Sequence, residues 1–388
     1  MAEFVFTDEQ AQLRSAVRRF CADNFDEQTV RRLMESEPPF DRAVWGRLGS
    51  ELGVLGLSVP ESEGGAGGTL VDQAVAVEEL GAALACGPVF GTVFLAIPAL
   101  VAASAGPVRD ELLAELVEGR RTAAFAVTDR AGAFEQSALA VTATRAGAAH
   151  TLTGLVERVV DGGAADDLLV AAHGPDGVTL HAVDATGPGV RRTTLATLDP
   201  TRPQATIEFR DAPARLASGP DEAHRVITHA LQVGSALLAA EQVGAGQHLL
   251  NLSVGYAKSR LQFGRQIGSF QAVKHKLADL LVDLEHARST AYHAAWALTD
   301  GSDDPALAAS IAQATCSAAL LRIAKDTIQV HGGIGFTWEH QAHLYLKRAS
   351  TDAALLGSAE QHRSRVADLV LDTAPADRVP RVATGTSA

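Results

Sequence analysis

Two glycine-broken segments carry the residue types that could do chemistry. Residues 329 to 340 read QVHGGIGFTWEH, where Gly332, Gly333 and Gly335 follow one long apolar run and precede another. Glycine tolerates positive φ and lets backbone approach a ligand or a second chain with no Cβ between them. Gln329, just before the turn, offers a donor and an acceptor from a single amide. The second segment, residues 260 to 271, reads RLQFGRQIGSFQ and sets Arg260, Phe263 and Gln271 around another glycine break. A planar, permanently charged guanidinium suits a pyrophosphate, and an aromatic ring suits the face or edge of a heterocycle. Singly, each has a plainer reading: a helix-terminal ion pair for Arg260, a core aromatic for Phe263, a C-cap turn for the glycines. His331, His340 and His343 lie in the same stretch, but with no set of carboxylates beside them they predict no metal site.

Long elements are needed to hold such segments, and the chain falls into three stretches of different period. From residue 7 to about 120 the pattern is helical, opening on Thr7-Asp8-Glu9-Gln10, the form of a capping box, with Leu13, Val17 and Phe20 following at spacings of four and three. The glycine-rich loop from Pro60 to Gly68 separates this region from an apolar helix over Val71 to Leu84. It fits either the lining of a site or a surface connector.

Between about 121 and 220 the period becomes two. Val178, Leu180 and Ala182 alternate with Thr179 and His181, and Gly174-Pro175-Asp176-Gly177 and Gly187-Pro188-Gly189 punctuate the segments. Short strands with no helices between them predict an antiparallel sandwich or barrel. No GxGxxG follows a strand, so a dinucleotide-binding sheet is not expected.

The helical period returns at about 221 and holds to about 371. Val273, Leu277, Leu280, Leu284, Ala287, Ala291 and Ala294 recur at spacings of three and four. Runs near 223 to 259, 270 to 299, 304 to 330 and 338 to 371 predict a four-helix bundle. The chain thus reads as α+β: an N-terminal helical domain (1–120), a middle antiparallel β domain (121–220), a C-terminal four-helix bundle (221–372) and a tail (373–388) expected to be disordered.

Composition narrows the function classes. Of 388 residues, 47% are hydrophobic and 20% charged, enough to bury a sizeable core. The formal net charge of −13, with no block of lysine or arginine to offset it, argues against nucleic acid and anionic membrane surfaces as partners. No segment reads as the roughly 18 apolar residues of a membrane span, and the N-terminus lacks a signal pattern, so a soluble cytoplasmic protein is expected. Cys21, Cys86 and Cys316 are far apart and odd in number, which predicts small buried side chains rather than a disulfide framework.

In combination these segments resemble a known family. Arg260-x-Gln262-Phe263-Gly264, then Phe270-Gln271 and Leu277-Ala278-Asp279, then Gln329-Val330-His331-Gly332-Gly333-Ile334-Gly335-Phe336-Thr337, in an α, β, α order, are similar to the acyl-CoA dehydrogenases over nearly the whole chain. The resemblance implies FAD held between the β domain and the bundle, with part of its site supplied by a neighbouring subunit. It also implies an acyl-CoA thioester substrate, an electron-transfer acceptor protein, and a homo- or heterotetramer. The cofactor contacts it implies are Thr128, Arg260, Phe263, Gln271, Gln329, Gly332 and Gly333.

Departures from the family pattern are as informative. Val127-Thr128-Asp129 keeps the first part of a flavin-holding strand, but Ala133-Phe134-Glu135 stands where Gly-Ser-Asp is usual, and Glu157-Arg158-Val159-Val160-Asp161 stands where a tryptophan and a threonine are usual. Removal of the α-proton needs a carboxylate beside the thioester. The family's Glu position is Leu356 here, and an alternative position on the first bundle helix is Gly234. Glu241, an acid in an otherwise apolar helix, is the candidate catalytic base, with a Glu bonded into the bundle or to a partner as the plainer reading. Asp352, one turn before Leu356, is a second candidate.

Small residues at Gly234, Ala239 and Ala240 would leave room for a bulky acyl group. Three functions remain open: an FAD-dependent acyl-CoA dehydrogenase catalysing α,β-desaturation; the non-catalytic subunit of a heteromeric one, like the degenerate chains that actinobacteria pair with competent ones; and a flavin-independent lyase or dehydratase on the same fold.

Overall fold

Helix-start chemistry sets the first elements of the computed structural model, which describes residues 6–127, 136–147, 149–301 and 303–371. The Thr7 hydroxyl accepts from the Gln10 backbone at 3.2 Å while the Gln10 side chain accepts from the Thr7 N–H at 3.1 Å, the reciprocal capping expected for α1 (Asp8–Asn24). Thr69 and Asp72 repeat the device at the start of α4 (Leu70–Ala82). Between them lie α2 (Glu27–Leu33) and α3 (Arg42–Ser50). A fully buried π-helical segment, Phe90–Ala96, runs into α5 (Ile97–Ala102) and is followed by α6 (Pro107–Val117). Single π-type turns are unusual inside helices and concentrate at functional sites. The glycine-rich loop 60–68 is a packed connector, tied down where Glu63 pairs with Arg109.

Among the described residues seven strands follow: β1 (Ala123–Ala126), β2 (Val141–Ala146), β3 (Ala149–Val160), β4 (Asp167–Gly174), β5 (Gly177–Asp184), β6 (Val190–Thr194) and β7 (Gln204–Ser218). Their order is β1-β4-β2-β3-β7-β5, and pairing of β4 with β5 closes the ring into a barrel with β6 added beside β7. The sheet is not wholly antiparallel, since β1 runs parallel to β4 from Ala123 against Asp167 to Ala126 against Val170. Thr179 and His181, which alternate with the apolar residues of β5, are buried as well, and bond each other at 2.9 Å.

The bundle begins with α7 (Ala223–Ser259), continues through α8 (Gln271–Asp300) and α9 (Pro305–His331), and ends with α10 (Ala342–Asp352) and α11 (Ala359–Leu371). The sequence pattern predicts the last two as one run. They are separate because Leu356 and Gly357 take φ of +56° and +99°, which no helix continues through. The bundle helices pack on one another, and α4 and the π segment pack on α7, so the N-terminal helices and the bundle share one core.

The membrane expectation needs one correction. The stretch Pro305–Phe336 is long and apolar enough to cross a membrane by length and composition, because α9 is built of small apolar residues with few charges. In the fold, 61% of its most apolar window is buried, packed against α7, α8 and α11, as a core helix of a bundle. The tail 373–388 lies outside the described residues.

Candidate active site

The glycine break after α7 is a small hairpin. β8 (Leu261–Gln262) pairs with β9 (Arg265–Gln266) across Phe263 and Gly264, whose φ of +52° and +74° are the two positive values of a tight primed turn. Glycine adopts this freely, but a phenylalanine there is strained and must be held by its surroundings or its use. Phe263 is 85% exposed, so packing within the chain does not explain it. Its ring meets Phe270 edge-on at 6.2 Å, and the Arg265 guanidinium lies 4.0 Å from the Phe270 ring centre. Arg265 belongs with this surface, although the sequence reading passed over it.

Arg260 caps α7, and its guanidinium makes no ion pair among the described residues. Gln271 opens α8 with an exposed side chain.

The second glycine segment sits at the same end of the bundle. Tyr256 in the last turn of α7 and His331 at the end of α9 have ring centres 4.4 Å apart, which brings the hairpin and the Gly332 loop together. Gly332 combines φ +64° with ψ −141°, a conformation essentially closed to other residues. Open space lies where Cβ atoms at Gly332 and Gly333 would be, and Gln329 is exposed beside them. Phe336 and Trp338 are 80% and 56% exposed on this surface. Large aromatics left bare next to unpaired polar groups mark a surface that another body covers. Among the described residues no group of metal-ligating side chains forms here.

A cavity of about 240 Å³ lies between the barrel and the bundle, lined among others by Phe90, Leu95, Phe125, Val160, Leu355 and Leu356. Val160 and Leu356, two of the positions at which the chain departs from the family pattern, therefore face one space. A Cβ built on Gly234 would fall 3.2 Å from Leu356 Cδ1 and 2.6 Å from Leu95 Cδ2. Both positions for a base thus converge on one spot, and both are hydrocarbon.

The room foreseen around Gly234 is filled by Leu95 and Leu356, and Ala239 and Ala240 are sealed in the core. A second cavity of about 250 Å³, among α7, α9 and α11, shares Leu356 as the wall common to the two.

Leu356 is held firmly in its left-handed conformation. Its carbonyl accepts from His362 Nε2 at 2.8 Å, and the Leu355 carbonyl accepts from Gln313 Nε2 at 3.2 Å. Burial pushes the His362 imidazole down to about 4, so it is the neutral ring that donates. Thr128, the strand residue expected near a flavin, lies outside the described residues.

Glu241 lines neither cavity. It is buried on α7, with Oε1 accepting from Arg348 Nη1 at 2.7 Å and Oε2 accepting from Arg202 Nη2. A base must present an open oxygen to a C–H bond, and a guanidinium occupies each oxygen of Glu241. Asp352, the second candidate, is wholly buried behind the cavity wall, 3.5 Å from Arg202 Nη2. Arg202 and Arg348 were not foreseen as site residues, since nothing in their local sequence marks them.

The N-terminal domain model of the acyl-CoA dehydrogenases matches residues 7–120, and the acyl-CoA dehydrogenase C-terminal domain model matches residues 224–371. The chain belongs to the acyl-CoA dehydrogenase family. Its similarity to acyl-CoA dehydrogenase IpdE2 of Mycobacterium tuberculosis is 35% identity over 354 residues, covering 91% of this chain and 95% of the relative. In structure it is similar to a chain of the ChsE4-ChsE5 complex from Mycobacterium tuberculosis, with a TM-score of 0.86 at 30% identity, covering 96% of this chain and 100% of that one. It is also similar to a chain of a variant of the Tcur3481-Tcur3483 steroid ACAD, with a TM-score of 0.84 at 30% identity over 94% and 98% of the two chains.

This acyl-CoA dehydrogenase fold is an oxidoreductase fold whose cofactor is FAD. The residues present suit that cofactor. An uncommitted guanidinium at Arg260, a bared strained ring at Phe263 and an open glycine backbone at Gly332 and Gly333 match a flat anionic molecule laid on the outer end of the bundle.

Proposed function

We propose that this chain is the non-catalytic subunit of a heteromeric acyl-CoA dehydrogenase, the complex desaturating an acyl-CoA thioester at its α,β bond. The observation that carries the reading is the meeting of Gly234 with Leu356 at the cavity wall. Desaturation requires an α-proton to leave to a carboxylate, and both base positions here are apolar. When bound, FAD supplies the hydride acceptor for the β-carbon. Arg260, Phe263, Gln271, Gln329, Gly332 and Gly333 hold it from the outer end of the bundle, and the partner completes the site and supplies the carboxylate.

Further support comes from the exposed Phe263, Phe336 and Trp338, which give the partner a surface to cover, and from the similarity to a chain of the ChsE4-ChsE5 complex. Leu356 standing between two cavities also interrupts any thioester path through this subunit. Glu241 then belongs to the structural ion-pair network rather than to proton removal. The assembly is a heterotetramer that passes electrons to an electron-transfer protein and works in the cytoplasm, with domains at 1–120, 121–220 and 221–372. Co-expression with a family member that carries the Glu tests this: a stable yellow complex supports it, and two chains that purify apart, with this one active alone, refute it.

A further inference from the structure

Buried charges from all three parts of the chain meet at one junction. The barrel sends Asp161 from the turn after β3 and Asp199, Thr201 and Arg202 from the segment between β6 and β7. The bundle sends Glu241 from α7 and Arg348 and Asp352 from α10, and none of these residues is more than 6% exposed. The N-terminal part contributes the Gly91 N–H, which donates to Asp161 Oδ2 at 2.9 Å, and the Phe90 ring, 5.1 Å beneath the Arg202 guanidinium.

Every guanidinium nitrogen of Arg348 is bonded. Its Nε donates to Asp199 Oδ2 at 2.8 Å, its Nη1 to Glu241 Oε1 at 2.7 Å, and its Nη2 to the Thr201 carbonyl and hydroxyl at 3.0 and 2.7 Å. Asp199 Oδ1 is taken by the Thr201 hydroxyl at 2.6 Å and N–H at 2.9 Å. Arg202 is bonded to Glu241.

The charges do not balance. Asp161, Asp199, Glu241 and Asp352 face Arg202 and Arg348, and the other titratable groups in the field of Arg348, Cys86 and Tyr345, are neutral because burial drives both upward. Asp352 is the group left over, with zero exposure and no hydrogen bond to either oxygen among the described residues. A buried carboxylate in that position is expelled from its charged form by the cost of desolvation.

We infer that this junction is a proton-operated latch, in which Arg202 stays with Glu241 while Asp352 holds a proton and is shared with Asp352 once that proton leaves to solvent. Arg202 sits at the seam, and Asp352 lies one turn before Leu356 on the chain that forms the cavity wall from Ser350 to Leu356. Recruiting Arg202 to Asp352 pulls α10 toward the barrel segment 199–202 and shifts that wall. The latch depends on the junction alone and holds whichever subunit supplies the base.

Burial raises the Asp352 carboxyl to about 7, with Glu241 and Asp199 adding to the rise and Arg202 and Arg348 opposing it. A folded value above the unfolded one means stability that is complete below about pH 4 and is lost as pH climbs to about 7.

The test is Asp352→Asn in the full chain, with Tm followed from pH 5 to 8.5 and infrared difference spectra recorded across the same range. The wild type should lose about 3–6 °C relative to the variant over that range. It should also show a protonated-carboxyl stretch that disappears on going alkaline and is absent from the variant. The loss of the Asp161 carboxyl band, which comes at lower pH, near 6, should be seen in both. Parallel Tm profiles, or a carboxyl band unaltered by the substitution, overturn the latch. A variant that fails to fold overturns it too, because an uncharged isostere should replace a proton-bearing carboxyl without loss.

Discussion

Gly234 on α7 packs against Leu356, the cavity-wall residue after α10, with the site of a glycine Cβ only 3.2 Å from Leu356 Cδ1. A carboxylate at Leu356 would enter the cavity beside Val160, whereas one at Gly234 must displace Leu95 first. Leu356→Glu is therefore expected to fold at a cost of about 1–3 kcal/mol and to confer α-proton exchange on a bound acyl-CoA, while Gly234→Glu should cost more and confer less. Deuterium incorporation into substrate, read alongside a denaturant midpoint, checks both. Exchange by the unaltered chain at the level of Leu356→Glu would place the base elsewhere.

Much of this frame was legible in the sequence. Thr7 and Gln10 announced α1, the change of period near 121 and 221 marked where the strands begin and where the long helices return, and the glycines of the two broken segments announced the interruptions between helices. Local spacing carries that information because caps, turns and faces are local. The junction was illegible for the opposite reason: Arg348 and Asp199 are 149 residues apart, and Arg202 and Glu241 are 39 apart. Glu241 looked like a lone acid on an apolar helix because its partners arrive from other elements. Likewise the hairpin at Phe263 read as a mere break, since two residues per strand leave no period to detect.

Arg260 makes no ion pair among the described residues. Arg260→Ala should weaken FAD retention by more than tenfold, about 1.5–3 kcal/mol for a lost charge-assisted bond, with the helical circular dichroism unchanged. Flavin content measured after gel filtration decides it, and undiminished retention would remove Arg260 from the site.

Glu241 bridges two buried guanidiniums. Glu241→Gln should destabilise the fold by about 3–5 kcal/mol, because removing one member of a buried ionic group leaves the others uncompensated. Urea unfolding gives the number. A variant of wild-type stability that had lost only activity would restore Glu241 as a catalytic group.

Glu78 fastens the N-terminal helices to the bundle. Burial works against its charge, but the guanidiniums of Arg288 and Arg14 and the Tyr292 hydroxyl outweigh that and hold it below the ordinary glutamate value. A lowered folded value gives stability that is present above about pH 4.5 and lost as pH falls through the folded value. Wild type should thus lose Tm on acidification below about pH 4.5, and Glu78→Gln should start lower and lose less. Equal slopes in the two acid profiles would mean that the pairing does not contribute.

The most direct measurement of the central claim is flavin bleaching by a panel of acyl-CoA thioesters. It should be recorded for this chain loaded with FAD alone and for the same chain co-purified with a family partner that carries the Glu. No bleaching alone and rapid bleaching in the complex is the predicted result; bleaching by the chain on its own would contradict a subunit without a catalytic carboxylate.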